Sequence, residues 1–120
     1  MRIVLPVDEN NSNTGVCPSF GRAPYFMVYD TDKKETTFIS NTAANASGGA
    51  GTKAAQAIVD QKADVLLTVR CGQNAAEVLT AANIKMYKTV NGTAKENIVL
   101  FEKGELVVIT EFHPGFHGKQ

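Results

Sequence analysis

Apolar positions along the chain follow two different periods, and the change falls near residue 50. Arg2 to Val7 is a short run of β-branched and aliphatic residues that gives way to a turn-rich stretch from Asp8 to Gly15, the pattern of a strand ending in a long loop. Tyr25 to Asp30 and Thr36 to Ser40 are aromatic and β-branched runs on either side of Thr31-Asp32-Lys33-Lys34-Glu35, a polar connection suited to a hairpin. They are predicted as an antiparallel pair. Helical spacing then takes over: Ala54, Ala57 and Ile58 share one face of a helix over Lys53 to Gln61, and Ala75, Val78, Leu79 and Ala82 share one face of a second over Asn74 to Ala82. Between them, Ala63 to Val69 is a nearly continuous aliphatic run, as expected of a strand covered on both faces. Ile84 to Tyr87 is another short strand. Thr93-Ala94-Lys95-Glu96 is a capping-box sequence that opens a third helix, and Gly104 after Lys103 stops it. Leu106 to Thr110 is predicted as a last strand. The residues from His113 to Gln120 show no periodicity and are expected to form a mobile tail.

The order βββαβαβα, with or without a final strand, combines a hairpin with later right-handed β-α-β crossovers. It predicts an α/β fold whose mixed five- to six-stranded sheet carries helices on its faces. A single domain over residues 1–112 accounts for all of it. If the first strand runs upward, the loops sort by end. The lower end collects short, mostly charged turns: Thr31 to Glu35, Lys62-Ala63, Asn83 and Lys103 to Glu105. The upper end collects Asp8 to Pro24, Asn41 to Gly51, Arg70 to Gln73, Lys88 to Gly92 and, if the last strand is parallel, the histidine-bearing tail. Most glycines and both cysteines fall at that upper end. Ligands of open α/β sheets bind beyond the carboxyl ends of parallel strands, so the upper end is the candidate site.

Composition narrows the class. The 120 residues, 43% hydrophobic and 20% charged, suit one domain with one core. Twelve Lys plus Arg balance twelve Asp plus Glu, so no global field draws the protein to nucleic acid or to an anionic membrane, and neither is expected as a partner. The opening apolar run is short and is broken by Pro6, unlike a secretory signal, and no other stretch approaches a membrane span. A soluble, cytoplasmic protein, monomeric or weakly dimeric, is the expectation. Cys17 and Cys71 are too few for a disulfide framework, and in a reducing cytosol both should be thiols.

Three upper-end segments carry candidate chemistry. In Cys17-Pro18-Ser19-Phe20-Gly21-Arg22-Ala23-Pro24-Tyr25-Phe26, two prolines and a glycine fix an irregular backbone, and Phe20 and Phe26 can anchor it to the core. Arg22 supplies a planar donor fork for an anion, or else holds backbone carbonyls. Ser47-Gly48-Gly49-Ala50-Gly51-Thr52-Lys53 precedes a helix, so its amides can cradle an anion; it lacks the spacing of a Walker A loop and of a dinucleotide fingerprint, and a plain turn is the alternative. In Arg70-Cys71-Gly72-Gln73-Asn74-Ala75, Cys71 sits at a helix N-terminus beside Arg70, a setting that favours thiolate over a buried filler role. Adjacent first and fourth strands would set Cys17 and Cys71 across one crevice. His113 and His117 could complete a two-cysteine, two-histidine set suited to a borderline or soft metal. Catalytic constellations are thin: there is no Gly-x-Ser-x-Gly elbow, and the strand ends lack the carboxylates that a two-metal nuclease needs.

Phe20-Gly21-Arg22-Ala23-Pro24-Tyr25-Phe26, the Gly49-Ala50-Gly51 turn and Cys71-Gly72-Gln73-Asn74-Ala75 together resemble the dinitrogenase iron–molybdenum cofactor biosynthesis family, over Arg2 to about Thr110. That family includes NifX-type carriers, the carboxy-terminal part of NifB, and stand-alone proteins, one of which carries a molybdenum–copper sulfide cluster. The resemblance implies a ribonuclease-H-like fold and non-enzymatic binding, storage or delivery of an iron–sulfur or molybdenum-containing metal–sulfur cluster, with a donor or acceptor protein as partner. Family members often place a histidine or another basic residue before Phe-Gly-Arg, where this chain has Ser19. The second loop commonly reads Gly-Pro-Asn-Ala, and here it reads Gly72-Gln73-Asn74-Ala75. The expected cluster site comprises Cys17, Ser19, Phe20, Gly21, Arg22, Gly48, Gly49, Gly51, Cys71, Gly72 and Asn74. Cys17 and Cys71 serve in it as ligands or thiol donors, Arg22 neutralises charge, and the Gly48 to Gly51 amides bond sulfides. Two other classes stay open: an enzyme acting on a small phosphate-bearing substrate, and a regulatory module of the same fold without a ligand.

Overall fold

Successive side chains of a strand point to opposite faces, and in the central strands both sets are apolar, so both faces of the sheet must be covered. The computed structural model describes residues 1–110. Their elements run β1 (Arg2–Val7), β2 (Tyr25–Asp30), β3 (Glu35–Ser40), α1 (Ala50–Asp60), β4 (Val65–Thr68), α2 (Gln73–Ala81), β5 (Lys85–Lys88), α3 (Ala94–Glu102) and β6 (Val107–Val108). The strands form one mixed sheet in the order β3-β2-β1-β4-β5-β6. β1 pairs antiparallel with β2, from Arg2 opposite Asp30 to Val7 opposite Tyr25, and parallel with β4. β2 and β3 form the antiparallel hairpin, and β4 and β5 are parallel. The α/β class and the mixed six-stranded sheet are those expected from the sequence.

The two faces bury separate clusters. Val4, Phe26, Val28, Leu66 and Met86 pack beneath α1 and α2 through Ala54, Ala55, Ile58, Ala75, Ala76 and Leu79. Ile3, Leu5, Val7, Met27, Val65 and Leu67 pack beneath α3 through Ala94 and Ile98. The alternation of Ile3, Leu5 and Val7 against Val4 thus divides β1 between two cores. Small alanines at the contact let α1 and α2 lie close on one face. Among the described residues no helix is long and apolar enough to cross a membrane.

Two local expectations are corrected. The first helix begins at Ala50 rather than Lys53, because Gly49 adopts a left-handed conformation (φ 68°) and caps it without a side chain. The last strand is the two-residue β6 rather than Leu106 to Thr110, and it runs antiparallel to β5, with Lys88 opposite Val107. The parallel last strand on which the upper-end placement of the tail depended is therefore not formed. His113, His117 and the 113–120 tail lie outside the described residues.

Candidate functional site

A crevice of about 410 Å³ opens where the parallel strands end, between the loop at Pro18 to Arg22, the N-terminus of α1 and the segment from Arg70 into α2. One glycine, Gly21, is required for the loop to reach α1. A Cβ on Gly21 would lie 2.9 Å from the Gly51 nitrogen and 3.0 Å from its Cα, so the loop touches the first turn of α1 backbone to backbone. A Cβ on Gly51 would lie 3.7 Å from Ala75 Cβ in α2. Phe20 fastens the loop from beneath. It is buried, and its ring centroid lies 5.9 Å from that of Phe26.

The electrostatics of the crevice are one-signed. Arg22 and Arg70 are in its lining, both exposed, and among the described residues no carboxylate is. α1 and α2 both start at it, capped by Gly49 and Gly72, with no side-chain cap bond and no acidic residue in the first turn. Among the described residues the amides of Ala50, Gly51 and Thr52, and of Gln73, Asn74 and Ala75, donate to no protein acceptor. Each helix start carries roughly half a positive charge, so two of them beside two guanidiniums favour an anion. α3 shows the contrast. Away from the crevice, its start is closed by a capping box in which Thr93 Oγ1 accepts from the Glu96 amide (3.1 Å) and Glu96 accepts from the Thr93 amide (2.8 Å).

Of its two expected roles, Arg22 shows the holding of backbone carbonyls. Its Nη1 donates to the carbonyls of Ala44 (3.0 Å) and Ala46 (2.6 Å), which ties the loop to the turn leading into α1. Nε and Nη2 donate to no acceptor among the described residues. Beneath it, Asn41 is 6% exposed and donates from Nδ2 to the carbonyls of Gly21 (3.1 Å) and Ala23 (2.8 Å), while its Oδ1 accepts from the Ala43 amide (3.1 Å).

The cysteines lie behind this wall, not in it. β1 and β4 are neighbours, as a shared crevice requires, yet Cys17 is 8% and Cys71 2% exposed and neither lines the opening. Burial pushes the Cys17 thiol up, a hydrogen bond from the Ser19 backbone amide to its sulfur pulls it down, and nearby Asp8 pushes it up again, with a net rise; as a neutral thiol it donates to the Ser19 carbonyl (3.6 Å). Cys71 packs in the apolar cluster with Phe20 and Ala75, and burial alone pushes its thiol up to about 11. That corrects the expected thiolate: desolvation outweighs the helix start and Arg70. Among the described residues no three His, Cys, Asp or Glu side chains group as a metal site.

Ser19, Phe20, Gly21, Arg22, Gly49, Gly51, Gly72 and Asn74 all line the crevice, while Gly48 is exposed and outside the lining. Sequence reasoning missed Arg70 as a crevice residue, although its place just past the end of β4 and before a helix start was the signal. It also missed Asn41, whose partners are backbone groups that no side-chain pattern marks.

The fold and this site define an α/β domain with an anion-receptive crevice at the carboxyl end of its parallel strands. The chain belongs to the dinitrogenase iron–molybdenum cofactor family, whose model matches residues 1–104. It is similar to the orange protein of Desulfovibrio gigas, solved in its apo form, with 31% identity, 91% of this chain and 92% of that one covered, and a TM-score of 0.86. It is also similar to a Thermotoga protein provisionally assigned as NifB, with 34% identity, coverage of 96% and 98%, and a TM-score of 0.83. An uncharacterized protein of Methanocaldococcus jannaschii is 32% identical over 109 residues, 88% of this chain and 89% of that protein.

Proposed function

We propose that this protein binds an anionic metal–sulfur cluster, iron–sulfur or molybdenum-containing, as cargo and delivers it to a partner protein, making and breaking no bond within the cargo. The observation that carries the reading is the convergence of two helix starts without side-chain caps and two arginines on one crevice that holds no carboxylate among the described residues. Family membership supports it, and the orange protein is described in an apo form, which presupposes a loaded one. Residues 1–112 are the cargo-binding domain. The amides of α1 and α2 hydrogen-bond sulfides, and Arg22 and Arg70 offset the negative charge. Ser19 to Gly21 form the wall against which the cargo rests. Buried and neutral, Cys17 and Cys71 support that wall from behind, Cys17 through its thiol contact to the Ser19 carbonyl.

The test is co-elution of tetrathiomolybdate, and separately of a preformed iron–sulfur anion, with the protein in gel filtration without oxygen, read by visible absorbance. Wild type should retain colour, and retention should fall with added salt. A charge-assisted bond is worth roughly 1.5–3 kcal/mol; halved for the exposure of both arginines, that makes Arg22→Ala and Arg70→Ala each weaken binding about tenfold. The Cys17→Ser, Cys71→Ser double variant should retain most of the colour. Wild type that elutes colourless with both anions ends the cluster reading. Undiminished retention in the double arginine variant ends the assignment to this crevice.

A further inference from the structure

Arg22 sits in an exposed loop, where a long side chain ordinarily loses much of its binding strength to rotamer freedom. The residues around it form a closed circuit. Asn41 Nδ2 holds the carbonyls of Gly21 and Ala23, the two residues flanking Arg22. Asn41 Oδ1 holds the amide of Ala43, the residue before Ala44, whose carbonyl receives Arg22 Nη1. The Asn41 amide donates to the Pro24 carbonyl (3.0 Å) and its carbonyl accepts from the Ala44 amide (3.1 Å). One buried amide side chain therefore sets both the root of Arg22 and the surface on which its guanidinium lies. With Nη1 committed to Ala44 and Ala46, the rest of the fork has one orientation beside the crevice.

We infer that Asn41 is the positioning residue of the crevice, acting through Arg22: it orients the guanidinium for an anionic ligand that Asn41 never touches. Its consequence for cargo rests on the carrier reading above. Its effect on Arg22 does not, and the two are tested separately. In unliganded protein, ¹⁵N relaxation of the Arg22 Nε–Hε group should report an ordered side chain in wild type and a mobile one in Asn41→Ala. For binding, Asn41→Ala should weaken tetrathiomolybdate about tenfold and reduce the visible circular dichroism of the saturated complex, because an achiral anion acquires that signal only from a fixed asymmetric setting. Adding Asn41→Ala to Arg22→Ala should cost almost nothing more, since both remove one unit. A role in stability alone would lower the melting temperature and add to the Arg22→Ala effect in full, leaving the dichroism per bound anion unchanged. Asn41→Ser keeps a short acceptor for the Ala43 amide, cannot reach both carbonyls and adds no charge, so it gives the same readings if the alanine variant does not fold. An Arg22 side chain as ordered in either variant as in wild type overturns the inference. So does full additivity with Arg22→Ala. Wild type that binds no anion while Arg22 loses order in Asn41→Ala overturns only the carrier reading.

Discussion

The contact between Gly21 and the first turn of α1 predicts that one methyl group will separate the crevice walls. In Gly21→Ala the new Cβ would meet Gly51 N at 2.9 Å, Gly51 Cα at 3.0 Å and the Ala50 carbonyl carbon at 3.2 Å. Ordinary carbon contacts lie at about 3.5–4.0 Å, so the overlap is roughly half an ångström against three atoms at once. None belongs to a side chain that can rotate away. α1 cannot retreat freely either, because Ala54 and Ala55 are fully buried against the sheet and α2. Overpacking of this kind costs about 1–3 kcal/mol, and at about 4 °C per kcal/mol for a domain of this size the melting temperature should fall by about 4–12 °C. Two neighbouring glycines separate the causes. Gly49→Ala meets no atom within 4 Å but must hold φ at 68°, which costs about 1–2 kcal/mol from strain alone. Gly48→Ala meets no atom within 4 Å and carries no such φ, so it should be neutral or stabilising by up to about 1 kcal/mol through the unfolded chain. Thermal and urea unfolding of the three variants, followed by far-ultraviolet circular dichroism, gives the order Gly48, Gly49, Gly21. A Gly21→Ala melting temperature within about a degree of wild type would refute the backbone contact, and with it the geometry of the crevice.

Two further predictions concern buried groups. The Cys71 thiol titrates at about 11 in the fold against an ordinary 9.0, so folding favours its neutral form. That contribution is fully present below about pH 9 and is lost as the pH rises toward 11, so wild-type urea midpoints should fall over that range more than those of Cys71→Ala. Equal slopes would show that the thiol is not desolvated. Asn97 is fully buried; its Nδ2 donates to the carbonyls of Val90 (3.1 Å) and Thr93 (3.0 Å), and its Oδ1 accepts from the Val90 amide (2.8 Å). Asn97→Ala leaves the Val90 amide and carbonyl unpaired, while the Thr93 carbonyl keeps its bond from the residue 97 amide (3.1 Å), and should cost about 2–3 kcal/mol, with faster hydrogen exchange at the Val90 amide; unchanged exchange there would remove Asn97 as the pin of that loop.

What could be read from the sequence depended on whether a residue's partners were near in the chain. β1 and β2 fall on their expected bounds because alternation and flanking turns are local, and the capping box at Thr93 marked α3 for the same reason. The start of α1 was misplaced by three residues because its cap is a glycine held by φ, with no side chain to announce it. β6 was too long and unspecified in direction because Val107 and Val108 are exposed, with no inward pattern to fix a register. Three of the upper-end segments, at Pro18 to Arg22, Gly49 to Thr52 and Arg70 to Ala75, meet at one crevice because strand direction follows from element order, while Lys88 to Gly92 does not line it. The Cys71 thiolate was an error of a different kind: the helix start and Arg70 are local, but Phe20, which helps desolvate it, lies far away in sequence. Asn41 was missed because its acceptors at Gly21 and Ala23 are backbone carbonyls, which every residue has.

The burial of the thiols bears on what a carrier must do, which is to let go. On the proposed reading the cargo faces backbone amides, Arg22 and Arg70, while both neutral thiols stand behind the wall. Hydrogen bonds and charge pairs at an open crevice each contribute a few kcal/mol at most, and salt screens the exposed guanidiniums within about 8 Å. Metal–thiolate bonds would hold far more tightly. A partner presenting thiolates or imidazoles would then offer bonds that the crevice withholds, and transfer would run toward it without work from the carrier. The same argument explains why two cysteines at the rim of an anion site are turned inward: as thiolates in the crevice they would add negative charge where the amides and arginines are arranged to receive it.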